Sequence, residues 1–301
     1  MRILYVGKHG SGGNDDEGAI HDALESLGHS VSRLRESNGH KVFKEDFTAY
    51  DFCLFHKWHT LPYIRLIKVP RVFWYFDLVD WPVDPTLKQR NEARIDWMER
   101  ITPHVALGFM SDGDWLARVN NPKLHWLTQG ADQRYAGYGA GSDMAEQRPI
   151  LMTGIRSGGG AGRIAFIDEM LLQYREAFSW IQKGVHGQAL ADTIANSKIV
   201  VAPTSPVTNR YWSNRVYLTL GYGGFLLHPF SERLAEHYED GKEIIYYSSM
   251  EDLYDKIKFY SGKPFIRRRI QDAGLSRTLA EHTYRHRCAQ LIEVVKRELG
   301  L

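Results

Sequence analysis

The chain has 301 residues, 43% of them hydrophobic and 25% charged, with a net charge of +2. That balance is ordinary for a soluble globular protein, and the absence of any apolar run of about 18 residues predicts no membrane-spanning helix. The length suits two domains of roughly 150 residues each better than one core. The near-neutral total announces no nucleic-acid binder, although a local basic face is compatible with it. The two cysteines, Cys53 and Cys288, stand far apart and in no metal-ligand spacing. The opening MRILYVG goes straight into a strand-like run, without the apolar core and cleavage site of a signal peptide. A reduced, cytoplasmic compartment is expected.

RILYVG (2–7) reads as a buried parallel strand, followed by a glycine loop and a helix with Ala19, Ile20, Ala23, Leu24 and Leu27 on one face. HSVSRLRE, YDFCLFHK and RVFWYFDLVD read as three further strands, with a short helix over TLPYIRLIK. A helix follows from PTLKQRNEARIDWMERI, then strands from HVALGFMS and KLHWLTQGAD. AGYGAGSDMAEQ (136–147) is rich in glycine and poor in apolar pattern, which makes 138–147 the best linker in the chain. The pattern then restarts: strand RPILMTGI, glycine loop SGGGAGR, helix IAFIDEMLLQYREAF, helix GQALADTIANS, strand KIVVAPTS. YWSNRVYLTLGYGGFLLH reads as a helix and a buried strand, and closing helices come from EDLYDKIKFYS and 264–299. The order predicts an α/β protein with two Rossmann-like parallel-sheet domains, over 1–137 and 148–280. The terminal helix, 281–301, is expected to pack back on the first domain.

Each domain opens with a strand and a glycine loop. The first loop holds Gly12 and Gly13, the second Gly154, Arg156 and Arg163. Neither matches GxGxxG or a Walker motif. Such loops bring backbone N–H groups to an anion, and ligands of open α/β sheets bind beyond the carboxyl ends of the strands. A plain flexible connection is the competing reading for either loop alone.

From 186 to 260 the stretches HGQALADTIANSKIVVAPTS, SNRVYLTLGYGGFLLH and YEDGKEIIYYSSMEDLYDKI resemble the donor-binding half of GT-B glycosyltransferases, nearest to the group 1 and CgeB-like proteins of bacteria and phages. WLTQGAD, at the end of the first domain, matches more loosely. The resemblance implies two domains facing across a cleft and transfer of a sugar from a UDP-sugar co-substrate, with no tightly bound cofactor and no metal. It implies that Ser213, Asn214 and Arg215 begin a helix aimed at the diphosphate, with Arg156, Arg163 and Arg210 adding charge. Gly223 and Gly224 would let the backbone approach the ligand. Capping and surface charge are the plain alternatives. Family members commonly carry a ribose-holding glutamate where this chain has Leu218.

An inverting transfer needs a general base from the first domain. Asp77, an acid after five apolar residues, is the first candidate, and His9 and His56 are the others. Asp80, Trp58 and His59 stand near as substrate contacts. Asp112 and Asp114 spell DxD, but a helix cap ahead of Trp115 explains them better. A compact two-domain transferase with a short acceptor domain resembles phage enzymes that glucosylate hydroxymethylated pyrimidines in DNA, and the aromatics around the expected cleft would stack a flipped base. Arg65, Lys68 and Arg71, Arg267 to Arg269, and Arg285 with Arg287 are the basic clusters that could meet DNA; each also reads as a solvated helix face. An envelope glycan, a protein or a small metabolite are the other acceptors. A non-catalytic nucleotide binder and a UDP-sugar epimerase are the competing functions. Either a monomer or a homodimer fits.

Overall fold

The computed structural model describes residues 1–10, 16–56, 58–80, 85–137, 148–156, 160–182, 184–203 and 208–301. They divide into two compact units. The first comprises Met1–Trp81, Lys88–Gln129 and Tyr284–Leu301; the second comprises Pro82–Leu87 and Gly130–Thr283.

The first unit runs β1 (Arg2–Gly7), α1 (Asp16–Ser26), β2 (Ser30–Arg35), β3 (Phe52–Phe55), β4 (Arg71–Tyr75), α2 (Lys88–Ile101), β5 (Leu107–Met110), α3 (Gly113–Val119) and β6 (Leu124–Trp126). Among the described residues the six strands form one parallel sheet in the order β2-β1-β3-β4-β5-β6. All four side chains of β3 (FCLF) are buried, as a strand covered on both faces requires. One face packs Ile3, Tyr5, Phe52 and Trp74 under α1 and the terminal helix α10 (Tyr284–Leu299). The other packs Val6, Phe55, Phe73 and Tyr75 against Trp97 and Met98 of α2. Tyr284 donates from its hydroxyl to Asp16 at 2.9 Å, and buried Arg287 donates to Thr128 and to the carbonyl of Gln129. The connections on either side of β3 are 3-10 helices, Glu36–Lys44 and Phe47–Ala49 before it and Trp58–Leu66 after it.

The second unit runs β7 (Arg148–Thr153), α4 (Gly160–Tyr174), β8 (Phe178–Ile181), α5 (Gly187–Ala195), β9 (Ser197–Val201), α6 (Arg215–Gly221), β10 (Leu226–Pro229), α7 (Glu232–Ala235), β11 (Ile245–Tyr247), α8 (Met250–Ser261) and α9 (Pro264–Glu281). Its described strands form a five-stranded parallel sheet, β11-β10-β9-β7-β8. The core gathers Ile150, Ile199, Phe225 and Leu227 with Ile167 and Met170 of α4 and Leu253 and Ile257 of α8.

In the first sheet β1 is flanked by β2 and β3, and in the second β7 is flanked by β8 and β9. At those strands the winding reverses: within each sheet the connections that leave two neighbouring strands, β1 and β3 in the first and β7 and β9 in the second, run to opposite faces. That divergence is the usual place for a ligand in an open α/β sheet. Among the described residues no helix is long and apolar enough to cross a membrane. The predicted linker, 138–147, lies outside the described residues.

Candidate functional site

In the second unit the winding reversal is occupied by a guanidinium. Arg215 opens α6, and its side chain reaches back across the sheet. Nη1 donates to the carbonyl of Thr153 at the end of β7 (3.3 Å), and Nη2 donates to the carbonyl of Pro203 beyond β9 (3.1 Å). Gly154 makes the approach possible. Its φ is +122°, and a Cβ there would lie 2.6 Å from Arg215 Nη1. An L side chain fits neither the conformation nor the space.

Arg163, in the first turn of α4, donates from Nη1 to the carbonyl of Ile155 at 3.2 Å and lies against the same glycine. Neither Arg163 nor Arg215 is paired with a carboxylate among the described residues. Burial, then the like charge of Arg163, pulls Arg215 down from 12.5 to about 9, and burial also lowers Arg163. The other nearby ionisable groups are neutral. Burial takes His228 down to about 4 and pushes the Tyr247 phenol up. Two partly buried cations with only carbonyls to bind are an incomplete charge arrangement, which an anion with several oxygens would complete.

The remaining donor-side candidates divide. Arg156 is ion-paired with Asp168 of α4, so its charge is already matched. Ser213 and Asn214 precede α6, but Asn214 makes no side-chain cap bond, and the carbonyl of Ser213 accepts Val216 N–H. A seven-residue helix starting at Arg215 has little macrodipole, so the attraction for anions comes from guanidinium groups and not from a helix terminus. Arg210 lies partly buried in the loop before α6.

Gly224 serves packing, and Gly223 supplies a turn. Gly223 closes α6 with φ +80°, and a Cβ at Gly224 would collide with Ile194 (2.6 Å) and Thr219 (2.8 Å). Leu218 is core: it packs with Leu151, Leu190, Ile194 and Val200. Position 218, where the resemblance leads to the expectation of a ribose-holding glutamate, therefore faces α5 and the sheet in this protein.

In the first unit His9 follows β1 in the left-handed region (φ +44°) and is buried. Nε2 lies 2.8 Å from the Tyr5 carbonyl, which can only accept, so Nε2 carries the proton and Nδ1 the lone pair. Nδ1 is buried with no hydrogen-bond partner among the described residues. Burial lowers its pKa from 6.5, against a smaller opposing pull from Glu17. Glu17, on the first turn of α1, accepts Lys8 N–H at 3.4 Å.

His56 is spent differently. Nδ1 donates to the Trp74 carbonyl at 2.8 Å, which leaves Nε2 to accept from the Tyr5 hydroxyl. Both nitrogens are committed inside the core, so His56 is corrected from base candidate to support for Tyr5. Asp77, just past β4, is exposed and lies 3.4 Å from Arg94. Asp80 pairs with Arg118 at 2.9 Å. Asp112 is the N-cap of α3, accepting Trp115 N–H at 2.9 Å and Val79 N–H at 2.8 Å. Gly12, Gly13 and the side chains of Trp58 and His59 lie outside the described residues. Sequence reasoning missed Glu17, whose one signal is its place in the first turn after a glycine loop.

Comparison with known proteins bears on what these units are. Residues 160–293 match a family described as glycosyl transferase-like. Solved structures of similar fold include sucrose-phosphate synthase from Thermosynechococcus elongatus, 12% identical with a TM-score of 0.70, the match covering 100% of this chain and 99% of that one. HepE from Anabaena, solved with UDP and glucose, is 10% identical with a TM-score of 0.66 over 98% and 99% of the two chains. A UDP-forming α,α-trehalose-phosphate synthase from Burkholderia vietnamiensis is 11% identical with a TM-score of 0.59 over 100% of both. No curated protein sequence matches.

Proposed function

We propose that this chain, which has the GT-B fold and matches a glycosyl transferase-like family over residues 160–293, transfers a sugar from a UDP-sugar to an acceptor hydroxyl, with the donor diphosphate held by Arg163 and Arg215. The observation that carries the reading is the arginine pair at the winding reversal of the second sheet, with no carboxylate partner among the described residues. HepE, solved with UDP and glucose, and a UDP-forming synthase supply the choice of nucleotide. Leaving-group departure builds charge on the diphosphate, and fixed guanidinium groups stabilise that charge without reorganising.

We assign the acceptor proton to His9. Its Nδ1 has a lone pair and no competing donor among the described residues, and burial keeps the ring neutral near pH 7. A neutral, positioned imidazole is the group an inverting displacement needs. Its left-handed backbone is a strained conformation of the kind kept where geometry matters. Asp77 is the second candidate, at the carboxyl end of β4, with Arg94 3.4 Å away. Asp80 is retained as a substrate-orienting group.

The acceptor proposed is a hydroxymethylated pyrimidine in DNA, on the aromatic supply of the first unit. The basic clusters add little to it. Arg267 and Arg287 are buried, Arg268 pairs with Asp272, and Arg71 donates to the Ile64 carbonyl. An envelope glycan is therefore tested beside it. The experiment is incubation with UDP-sugars and DNA carrying plain or hydroxymethylated pyrimidines, read by nucleoside mass spectrometry. A hexose-sized mass gain on the modified base supports the DNA acceptor. UDP release with unmodified nucleosides rules that acceptor out and leaves the transferase reading standing.

A further inference from the structure

Phe259, in the last turn of α8, is 52% exposed, and Phe265, in the first turn of α9, is 90% exposed. Ring surface left in water forgoes the favourable free energy of burial. Two on one turn mark a contact surface rather than scattered surface hydrophobics. Gly262, Lys263 and Pro264 lie between them, and a Cβ at Gly262 would meet nothing within 4 Å. The turn therefore opens to solvent.

Its charge is one-sided. Residues 256–271 contain Lys256, Lys258, Lys263, Arg267, Arg268 and Arg269 and no acid. Lys256 and Arg268 pair with Asp252 and Asp272, and Arg267 is internal. Lys258, Lys263 and Arg269 are exposed, with no carboxylate partner among the described residues. Lys263 Nζ sits 5.8 Å from the centroid of the Phe259 ring.

Arg267 fixes the corner. Its Nη1 donates to the carbonyls of Tyr260 and Ser261, tying the end of α8 to the start of α9. The rings are thus presented by a preformed turn, and docking costs little ordering.

We propose that this corner docks on an anionic membrane surface, with Phe259 and Phe265 entering the headgroup–acyl boundary and Lys258, Lys263 and Arg269 meeting acidic headgroups. Exposed rings on a turn that also carries cations without carboxylate partners among the described residues are complementary to that interface, which is apolar beneath and negative above. A nucleic acid strand would need a groove in which bases stack, and an open turn provides no such slot.

The test is flotation of the full chain with vesicles of phosphatidylcholine alone, or containing about one-third phosphatidylglycerol. Binding to the acidic vesicles is expected, weakened by salt and roughly tenfold poorer on phosphatidylcholine alone. Phe265→Ser is expected to weaken it about tenfold with an unchanged melting temperature, because the ring is 90% exposed. Combined Lys258→Glu, Lys263→Glu and Arg269→Glu should weaken it more than about a hundredfold. No binding to acidic vesicles at low salt overturns the proposal. So does undiminished binding of Phe265→Ser, or a corner that retains single-stranded DNA while ignoring vesicles.

Discussion

Replacing Arg215 with methionine removes the central cation of the candidate site and keeps most of its volume. Two effects act on stability. Burial, then the neighbouring Arg163, holds this guanidinium at about 9 instead of 12.5. That difference corresponds to at most about 5 kcal/mol against the charged form, and less where solvent reaches it. The substitution relieves this. It also removes two charge-assisted hydrogen bonds, to Thr153 and Pro203, each worth about 1.5–3 kcal/mol. The two effects nearly cancel, so the melting temperature should move by only a few degrees.

Ligand affinity behaves otherwise, because nothing offsets the loss of a cation facing a diphosphate. Isothermal titration with UDP at pH 7.5 should show binding about 10- to 100-fold weaker than wild type. UDP affinity unchanged within about twofold, with the protein folded, would refute the assignment and return Arg215 to tying β7 to β9.

The same site sets a pH dependence. UDP needs Arg215 charged, so wild-type affinity should hold through neutral pH and fall as pH rises past about 9. Arg163→Met removes the like charge that helps lower Arg215; UDP titration across pH should show that alkaline fall displaced upward, along with a weaker plateau. Gly154→Ala forces a Cβ against Arg215 Nη1 at a φ of +122°, and should cost about 1–3 kcal/mol in denaturant unfolding together with UDP affinity. His9→Gln should leave UDP binding within about twofold while lowering UDP-sugar turnover about 10²- to 10⁴-fold. Because burial lowers His9 below 6.5, wild-type kcat/KM should decline only as pH falls below that value. Leu218→Glu places a carboxylate among Leu151, Leu190 and Ile194, so calorimetric melting should reveal a loss on the order of 3 kcal/mol and no gain in UDP affinity.

The inner strands of the first sheet, β1, β3, β4 and β5, were legible because each is a short apolar run. β8 was not: only Phe178 of its four residues is buried, so an edge strand offered no apolar run to find. The 3-10 helices before β3 escaped for a similar reason, since ESNGHKVFK has no helical periodicity. Arg215 could be singled out from its sequence neighbourhood, but its role could not. That role depends on reaching the ends of two strands, β7 and β9, far apart in the chain. Arg156 looked equivalent to Arg163 until Asp168, twelve residues on, proved to be its partner. Gly224 read as ligand-facing because sequence does not reveal that Ile194 of α5 lies against it. His9 and His56 were indistinguishable as letters. Only the carbonyls beside them decide which imidazole keeps a usable lone pair.

The central claim is that the arginine pair holds the diphosphate of a sugar donor. Its most direct test is release of UDP from a panel of UDP-sugars incubated with wild type and with the Arg163→Met/Arg215→Met double variant. Wild type should release UDP from at least one donor, and the folded double variant should release none above background. Equal release by both proteins, or no UDP binding or release by wild type with any donor, would contradict the account.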